Sequence, residues 1–137
     1  MKEVCVIGAG VGGLVATRYL MDKFNVTVYE ATNNIGGVWL YNKGNKAEKP
    51  TPMYKNLRTN LPKQLMVFRD LPHTTDVPTF QTHFQVMTYL DRYCDMFGIR
   101  SFIQFNTPVM SLEPDLSSSP VKWLVKTKTG WHNDNEL

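Results

Sequence analysis

The chain has little with which to cross-link itself, to span a bilayer or to grip a polyanion. Only two cysteines, Cys5 and Cys94, occur among its 137 residues. One lies in a short apolar run and the other in a helical pattern, which gives neither a disulfide framework nor a metal cluster and fits a reducing compartment. No apolar run approaches membrane-spanning length, and the apolar N-terminal residues enter a glycine turn directly, without the pattern of a signal peptide. Net charge is only +3, with 20% charged and 42% hydrophobic residues. That ordinary balance gives no ground for nucleic acid or a membrane surface as a partner. Internal repeats and low-complexity tracts are missing as well. His73, Asp76 and His83 fall in loop-like sequence without a fourth ligand, so they read as surface residues and no metal is expected.

What the chain does have is concentrated at its start. Val4-Cys5-Val6-Ile7 runs straight into Gly8-Ala9-Gly10-Val11-Gly12-Gly13. A short strand opening into G-x-G-x-x-G and then a helix is the fingerprint of a dinucleotide-binding βαβ unit. Gly8 permits the tight turn, Gly10 lets the backbone approach a pyrophosphate, and Gly13 lets the helix pack close to the strand. The helix N-terminus offers its free N–H groups and positive dipole end to phosphates. A second strand, Val26 to Tyr29, ends on Glu30, twenty positions after Gly10. There an acidic side chain meets ribose hydroxyls and disfavours a 2′-phosphate.

The remaining organisation follows from periodicity. At this length one domain with a modest core is expected. The first helix reads as roughly Val11 to Lys23. From Ala31 to about Thr82 there is little periodicity, and five prolines punctuate the stretch. A connection this long is functional or disordered. Trp39, Tyr41, Tyr54, Leu57, Leu65, Met66 and Phe68 look buried within it and argue for an ordered, ligand-covering segment. Lys43, Lys46, Lys49, Lys55, Arg58, Lys63 and Arg69 make it basic; a solvated loop is the favoured reading, a phosphate-attracting surface the sharper one. Thr82 with Gln85 forms a capping box for a second helix, whose stripe is Val86, Leu90, Tyr93, Cys94 and Phe97, closed by Gly98. Ile99 to Phe105 reads as a third strand. Val109 to Leu112 and Val121 to Thr127 read as an antiparallel layer covered on one face, and beyond Gly130 the chain turns polar. The expected fold is therefore α/β: a Rossmann-like βαβ unit with a long ordered loop, an antiparallel β layer and an incomplete sheet.

A simple NAD-binding domain would follow its second strand with a brief loop and a helix. Here Ile35-Gly36-Gly37-Val38-Trp39 brings paired glycines soon after Glu30, which would let the backbone approach the far half of a longer dinucleotide and points to FAD. With these pieces, and above all with Tyr54-Lys55-Asn56-Leu57-Arg58-Thr59-Asn60-Leu61-Pro62-Lys63 and Met66-Val67-Phe68-Arg69-Asp70-Leu71-Pro72, the sequence resembles the flavin-containing monooxygenases over nearly its whole length. Two neighbouring families fit less well. The Baeyer–Villiger type would carry Tyr-Pro-Gly soon after the tryptophan, where this chain has Leu40-Tyr41-Asn42, and the auxin-forming plant branch usually has histidine where Asn60 stands.

The resemblance implies FAD and NADPH as cofactors. It also implies transfer of one oxygen atom from O2, by way of a flavin C4a-hydroperoxide, to a soft nitrogen or sulfur nucleophile of small size. Carried over by position, Gly8, Ala9, Gly10, Val11, Gly12 and Gly13 would hold the pyrophosphate and Glu30 the adenosine ribose. Val38 and Trp39 would pack along the flavin side. Thr59, Asn60 and Leu61 would lie beside the isoalloxazine and nicotinamide, with Asn60 as the catalytic amide. The second glycine motif that the family uses for NADPH has no counterpart here, so residues 1–137 read as the FAD-binding portion of a truncated product or fragment. The expected location is cytoplasmic, or the cytoplasmic face of the endoplasmic reticulum if a full-length form is membrane-associated. A non-catalytic flavin-binding remnant and another FAD oxidoreductase are the alternatives.

Overall fold

In a computed structural model, residues 1–42, 51–128 and 130–133 are described. Lys43, Lys46 and Lys49 of the basic segment lie outside them. The chain divides into two compact units, one formed by Met1–Ile35 with Ile99–Leu137 and the other by Gly36–Gly98.

The first unit opens with β1 (Glu3–Ile7), α1 (Val11–Leu20) and β2 (Asn25–Tyr29). β1 and β2 pair in parallel from Glu3↔Asn25 to Ile7↔Tyr29, as a helical crossover requires. α1 packs on both strands and on the turn at Ile99–Phe102, with Leu14, Val28, Ile35 and Ile99 fully buried. The helix stops at Leu20 rather than Lys23, because the amides of Lys23 and Phe24 both turn back onto the Leu20 carbonyl and feed the chain into β2.

The expected third strand is mostly something else. Ile99–Phe102 winds a 3-10 turn, and β3 is only Ile103–Gln104, paired in parallel with Val28 and Tyr29. Ile99 and Ile103 are both buried, a spacing of four that suits a turn and that apolar content alone does not separate from a strand. Asn106, at φ 54°, then bends the chain away, and the amides of Asn106 and Thr107 bond to the carbonyls of Thr32 and Glu30.

The antiparallel layer is β4 (Val109–Asp115), β5 (Lys122–Thr127) and β6 (Gly130–Asn133), in that order. β6 falls where only a polar ending was expected. Val125 and Thr127 are each 2% exposed, whereas Trp123 is 49% and Val121 52% exposed, so only the later part of the expected face is covered. Among the described residues β1 has a strand on one side only. Beside it lies a cleft of about 310 Å³ lined by Val4, Cys5 and Ile7 and by Leu112, Trp123 and Val125 of the antiparallel layer.

The second unit is built on α2 (His83–Phe97). Its capping box forms as expected, with the Thr82 side chain accepting from the Gln85 amide and the Gln85 side chain accepting from the Thr82 amide, and Gly98 ends it in the left-handed conformation at φ 65°. Val86, Tyr89, Leu90, Tyr93 and Cys94 are buried. The described residues of the preceding segment have almost no regular structure: 3-10 turns at Gly37–Trp39 and Lys63–Leu65, and isolated bridges Arg58↔Thr82 and Phe68↔Leu71. It is tied to α2 by Tyr89, whose hydroxyl accepts from the Phe68 amide and donates to the Leu71 carbonyl, each at 2.7 Å. His73 stacks on the same ring, with centroids 4.3 Å apart. Tyr54 and Leu65 do not join this core; they are 60% and 71% exposed. No helix among the described residues is long and apolar enough to cross a membrane.

Candidate functional site

In the first unit the structure gathers the glycine loop and Glu30. Gly8 turns at φ +92°, a conformation side chains disfavour, and its amide bonds to the Tyr29 carbonyl at 2.8 Å. A Cβ on Gly13 would lie 1.8 Å from the Gly8 carbonyl oxygen. No side chain can stand there without moving the loop off the helix. Gly10 begins α1 in an extended conformation with no side-chain cap, and the first turn carries no acidic residue. The first intrahelical bond is Leu14 N–H to the Gly10 carbonyl at 3.0 Å, which leaves the amides of Val11, Gly12 and Gly13 pointing out of the helix end. A Cβ at Gly12 would meet open space. This cradle of N–H groups without a competing carboxylate fits a pyrophosphate.

Glu30 is placed differently from a simple ribose ligand. It is 7% exposed. Its Oε2 accepts from the Ala9 amide at 2.7 Å, and its Oε1 accepts from the amide and the hydroxyl of Thr32, both at 2.8 Å. A carboxylate has about four lone-pair positions; two accept main-chain amides and a third faces the Thr32 hydroxyl, whose single hydrogen also lies near the Asn34 carbonyl at 2.9 Å, so at least one position is left for a ligand hydroxyl. Ala9, 0% exposed, thus contributes its amide to the loop's internal lock. Thr32, which the sequence pattern did not single out, completes it.

The other expected site residues belong to the second unit. Gly36 and Gly37, at φ 110° and 56°, open the turn that carries Val38 and Trp39. Val38 is 60% exposed and Trp39 half-buried. A Cβ on Gly36 would meet the Met87 sulfur at 2.3 Å, so this glycine answers to a side chain of α2 as well as to its own φ. Thr59 is buried at 7% exposure, while Asn60 is exposed and Leu61 is 47% exposed. The Thr59 amide donates to the Gln81 carbonyl at 2.8 Å and its hydroxyl accepts from the Gln81 amide at 3.0 Å. The same hydroxyl donates to the Leu61 carbonyl at 2.9 Å. Its only hydrogen therefore stays within the protein, and the bond reaches over Asn60. Gln81 was not legible as a functional position, because its role is to offer backbone groups.

His73, Asp76 and His83 do not converge. His83 lies at the start of α2 with its ring 4.9 Å from that of Tyr41 and Nε2 3.2 Å from the Lys55 carbonyl. Asp76 is exposed, and the Thr74 side chain holds its carboxyl below the usual range. Among the described residues no group of three His, Cys, Asp or Glu is placed to hold a metal.

With this geometry in hand, known proteins supply a frame. The profile of the FMO-like family, flavin-binding monooxygenase-like, matches residues 1–136. Dimethylaniline monooxygenase (N-oxide-forming) 4 of Oryctolagus cuniculus is 37% identical over 131 residues, covering 93% of this chain and 23% of that protein. Flavin-containing monooxygenase 2 of Homo sapiens is 36% identical over 131 residues, 93% of this chain and 24% of that protein. The structure of S-allyl-L-cysteine S-oxygenase from Allium sativum superposes with a TM-score of 0.82 at 30% identity, over 96% of this chain and 34% of that one. An oxidised steroid monooxygenase bound to NADP gives 0.76 at 26% identity, over 95% of this chain and 24% of that one. The chain thus spans about a quarter of the length of the curated relatives it matches.

Proposed function

The chain belongs to the flavin-binding monooxygenase-like family, and on that premise we propose that it is the FAD-binding portion of an FAD- and NADPH-dependent monooxygenase acting on soft nitrogen or sulfur nucleophiles. FAD and NADPH are the cofactors of the family. Bound FAD, reduced by NADPH, supplies the chemistry that activates O2 and delivers one oxygen atom to the nucleophile. The substrate class is supported by the names of two relatives, a dimethylaniline N-oxygenating enzyme and an S-allyl-L-cysteine S-oxygenase. A cytoplasmic setting, or the cytoplasmic face of the endoplasmic reticulum, belongs to the same proposal.

This chain's own residues then divide the work. Gly10, Val11, Gly12 and Gly13 present amides to the pyrophosphate, and Glu30 offers its remaining lone pair to the adenosine ribose. Val38 and Trp39 provide apolar cover on the flavin side. Asn60, exposed on a turn whose neighbours are tied down, offers an amide that can donate a hydrogen bond to developing negative charge on the reacting oxygen.

The observation that carries the reading is the uncapped glycine turn at α1. It also separates a ligand effect from a folding effect. Gly10 sits at φ −74° and ψ −177°, a backbone any residue adopts, so Gly10→Val adds no backbone strain and places a side chain where the pyrophosphate would approach, while its urea midpoint against wild type reports any effect on folding. FAD titration by flavin fluorescence is expected to show binding to the wild-type chain and a loss of at least about tenfold in Gly10→Val, the scale of one or two charge-assisted hydrogen bonds. Equal affinity in both would remove the pyrophosphate assignment. NADPH oxidation by a complete protein that carries this portion, with a tertiary amine or thioether present, then distinguishes a monooxygenase from a flavin-binding remnant.

A further inference from the structure

Asn60 stands in a span of three residues, Asn60-Leu61-Pro62, whose two ends are stitched to one returning segment. At one end Thr59 exchanges hydrogen bonds with Gln81 through its amide and hydroxyl. At the other, the Lys63 amide donates to the Thr79 carbonyl at 2.7 Å. The lysine does more than that. Its ammonium donates to the Thr74 carbonyl at 3.1 Å and also to the Val77 carbonyl. Burial contributes little to hold residues 74–79 of this segment, since Thr74, Thr75, Asp76, Pro78 and Thr79 are exposed, with only Val77 half-buried. Lys63 itself is half-buried, unlike Lys55, Arg58 and Arg69 of the same basic stretch, which are exposed. Ordering its four-carbon stem costs rotamer freedom that a solvated lysine keeps. Charge-assisted bonds to two main-chain carbonyls offset that cost.

We propose that Lys63 is a positioning residue, whose ammonium clamps the 74–77 segment and thereby fixes the turn that presents the Asn60 amide. The chemistry suits a lysine. A rotatable ammonium has three donors to share between the two carbonyls, and its stem reaches a segment 11 to 14 residues away in sequence. Arginine keeps the charge and the donors with a different geometry. Methionine keeps the stem and loses every donor. The proposal rests on Asn60 as the amide that faces the reacting oxygen, but the clamp itself is readable without it.

Two measurements separate the clamp from that reading. The first uses the cofactor-free chain and follows amide hydrogen exchange in wild type, Lys63→Met and Lys63→Arg. Exchange at Thr59, Lys63 and Gln81 should rise about tenfold in Lys63→Met, the loss expected when a local opening is eased, with Leu90 and Tyr93 of α2 unchanged and Lys63→Arg close to wild type. Unchanged exchange in the turn overturns the clamp. Should Lys63→Met lose protection in α2 as well, Lys63→Gln, which retains one donor group, is read in the same way against the same result.

The second measurement uses a complete FAD-loaded enzyme that carries this portion and scores oxygenated product against hydrogen peroxide per NADPH consumed. Lys63→Met should keep FAD affinity within about twofold and lower the product fraction about tenfold, with no further loss when added to Asn60→Ala, because the two act through one amide. Equal losses of FAD affinity and product fraction, or additive losses in the double variant, overturn the positioning role. If Asn60→Ala alone oxygenates normally, the reading of Asn60 fails, while the exchange result still stands or falls by itself.

Discussion

The carboxylate of Glu30 accepts from Ala9 and Thr32 before any ligand arrives, and this changes what its replacement should do. Glu30→Gln keeps the shape but turns one acceptor oxygen into an NH2 group. Either the Ala9 amide or the Thr32 amide then faces a donor in a buried place. Leaving such a group unsatisfied costs about 1–3 kcal/mol, so the variant should unfold at lower urea concentration even without FAD. An unchanged midpoint would show that the lock contributes nothing to the fold. His73 makes a second prediction at this scale. Burial lowers its pKa from the ordinary 6.5, and a hydrogen bond to the Met66 backbone only partly opposes the shift. Its Nε2 has no hydrogen-bond partner among the described residues. Folding thus favours the neutral ring. The stability this provides is complete above pH 6.5 and is lost as pH falls below that value through the folded pKa. Asp76 and Asp115, whose pKa values are lowered from 3.8, act in the same direction only at more acidic pH. The urea midpoint should decline from pH 7 to pH 5 in the wild type, and the decline should flatten in His73→Phe, which keeps the ring against Tyr89.

At the scale of elements, local chemistry was readable and long-range partnership was not. The turn at Gly8, the close approach at Gly13 and the Thr82–Gln85 capping box each depend on residues near in sequence, and the structure contains all three. The parallel pairing of β1 and β2 follows from the helix between them. The bonds from Glu30 to Ala9, from Thr59 to Gln81 and from Lys63 to Thr74 join residues 21, 22 and 11 apart and use backbone atoms on one side. No side-chain pattern marks a backbone partner. β6 was missed for the same reason, since its pairing with β5 is a backbone ladder in a polar stretch. Ile99–Phe102 forms a 3-10 turn where a strand was expected, because a short stretch with apolar residues at both ends, Ile99 and Phe102, does not separate the two.

For the molecule as a whole, the place of β1 at the end of the described parallel sheet, beside an apolar cleft, is the feature with the widest effect. A strand that pairs on one side only among the described residues, next to an apolar cleft, invites pairing with another chain. Ile7, Leu112 and Trp123 along that cleft are 54%, 46% and 49% exposed, an apolar patch rather than scattered residues. The 137-residue chain is therefore expected to self-associate at micromolar concentration in light scattering coupled to size exclusion. Trp123→Lys, which places a charge in the cleft, should shift it toward monomer. A wild-type chain that stays monomeric throughout would count against this account.

The brevity of β3 bears on the order in which the chain assembles. Its two residue pairs with β2 are reached only after a connection of roughly seventy residues has been drawn together. Closing a flexible loop of that length carries an entropic penalty that grows as about (3/2)RT ln n, against which two ladder pairs, the burial of Ile99 and Ile103 and the amide bonds of Asn106 and Thr107 are set. The penalty shrinks only when Gly36–Gly98 has already condensed, because a folded insert shortens the effective loop. The third strand is thus expected to pair late in folding, which would make it a reporter of whether the inserted unit is intact.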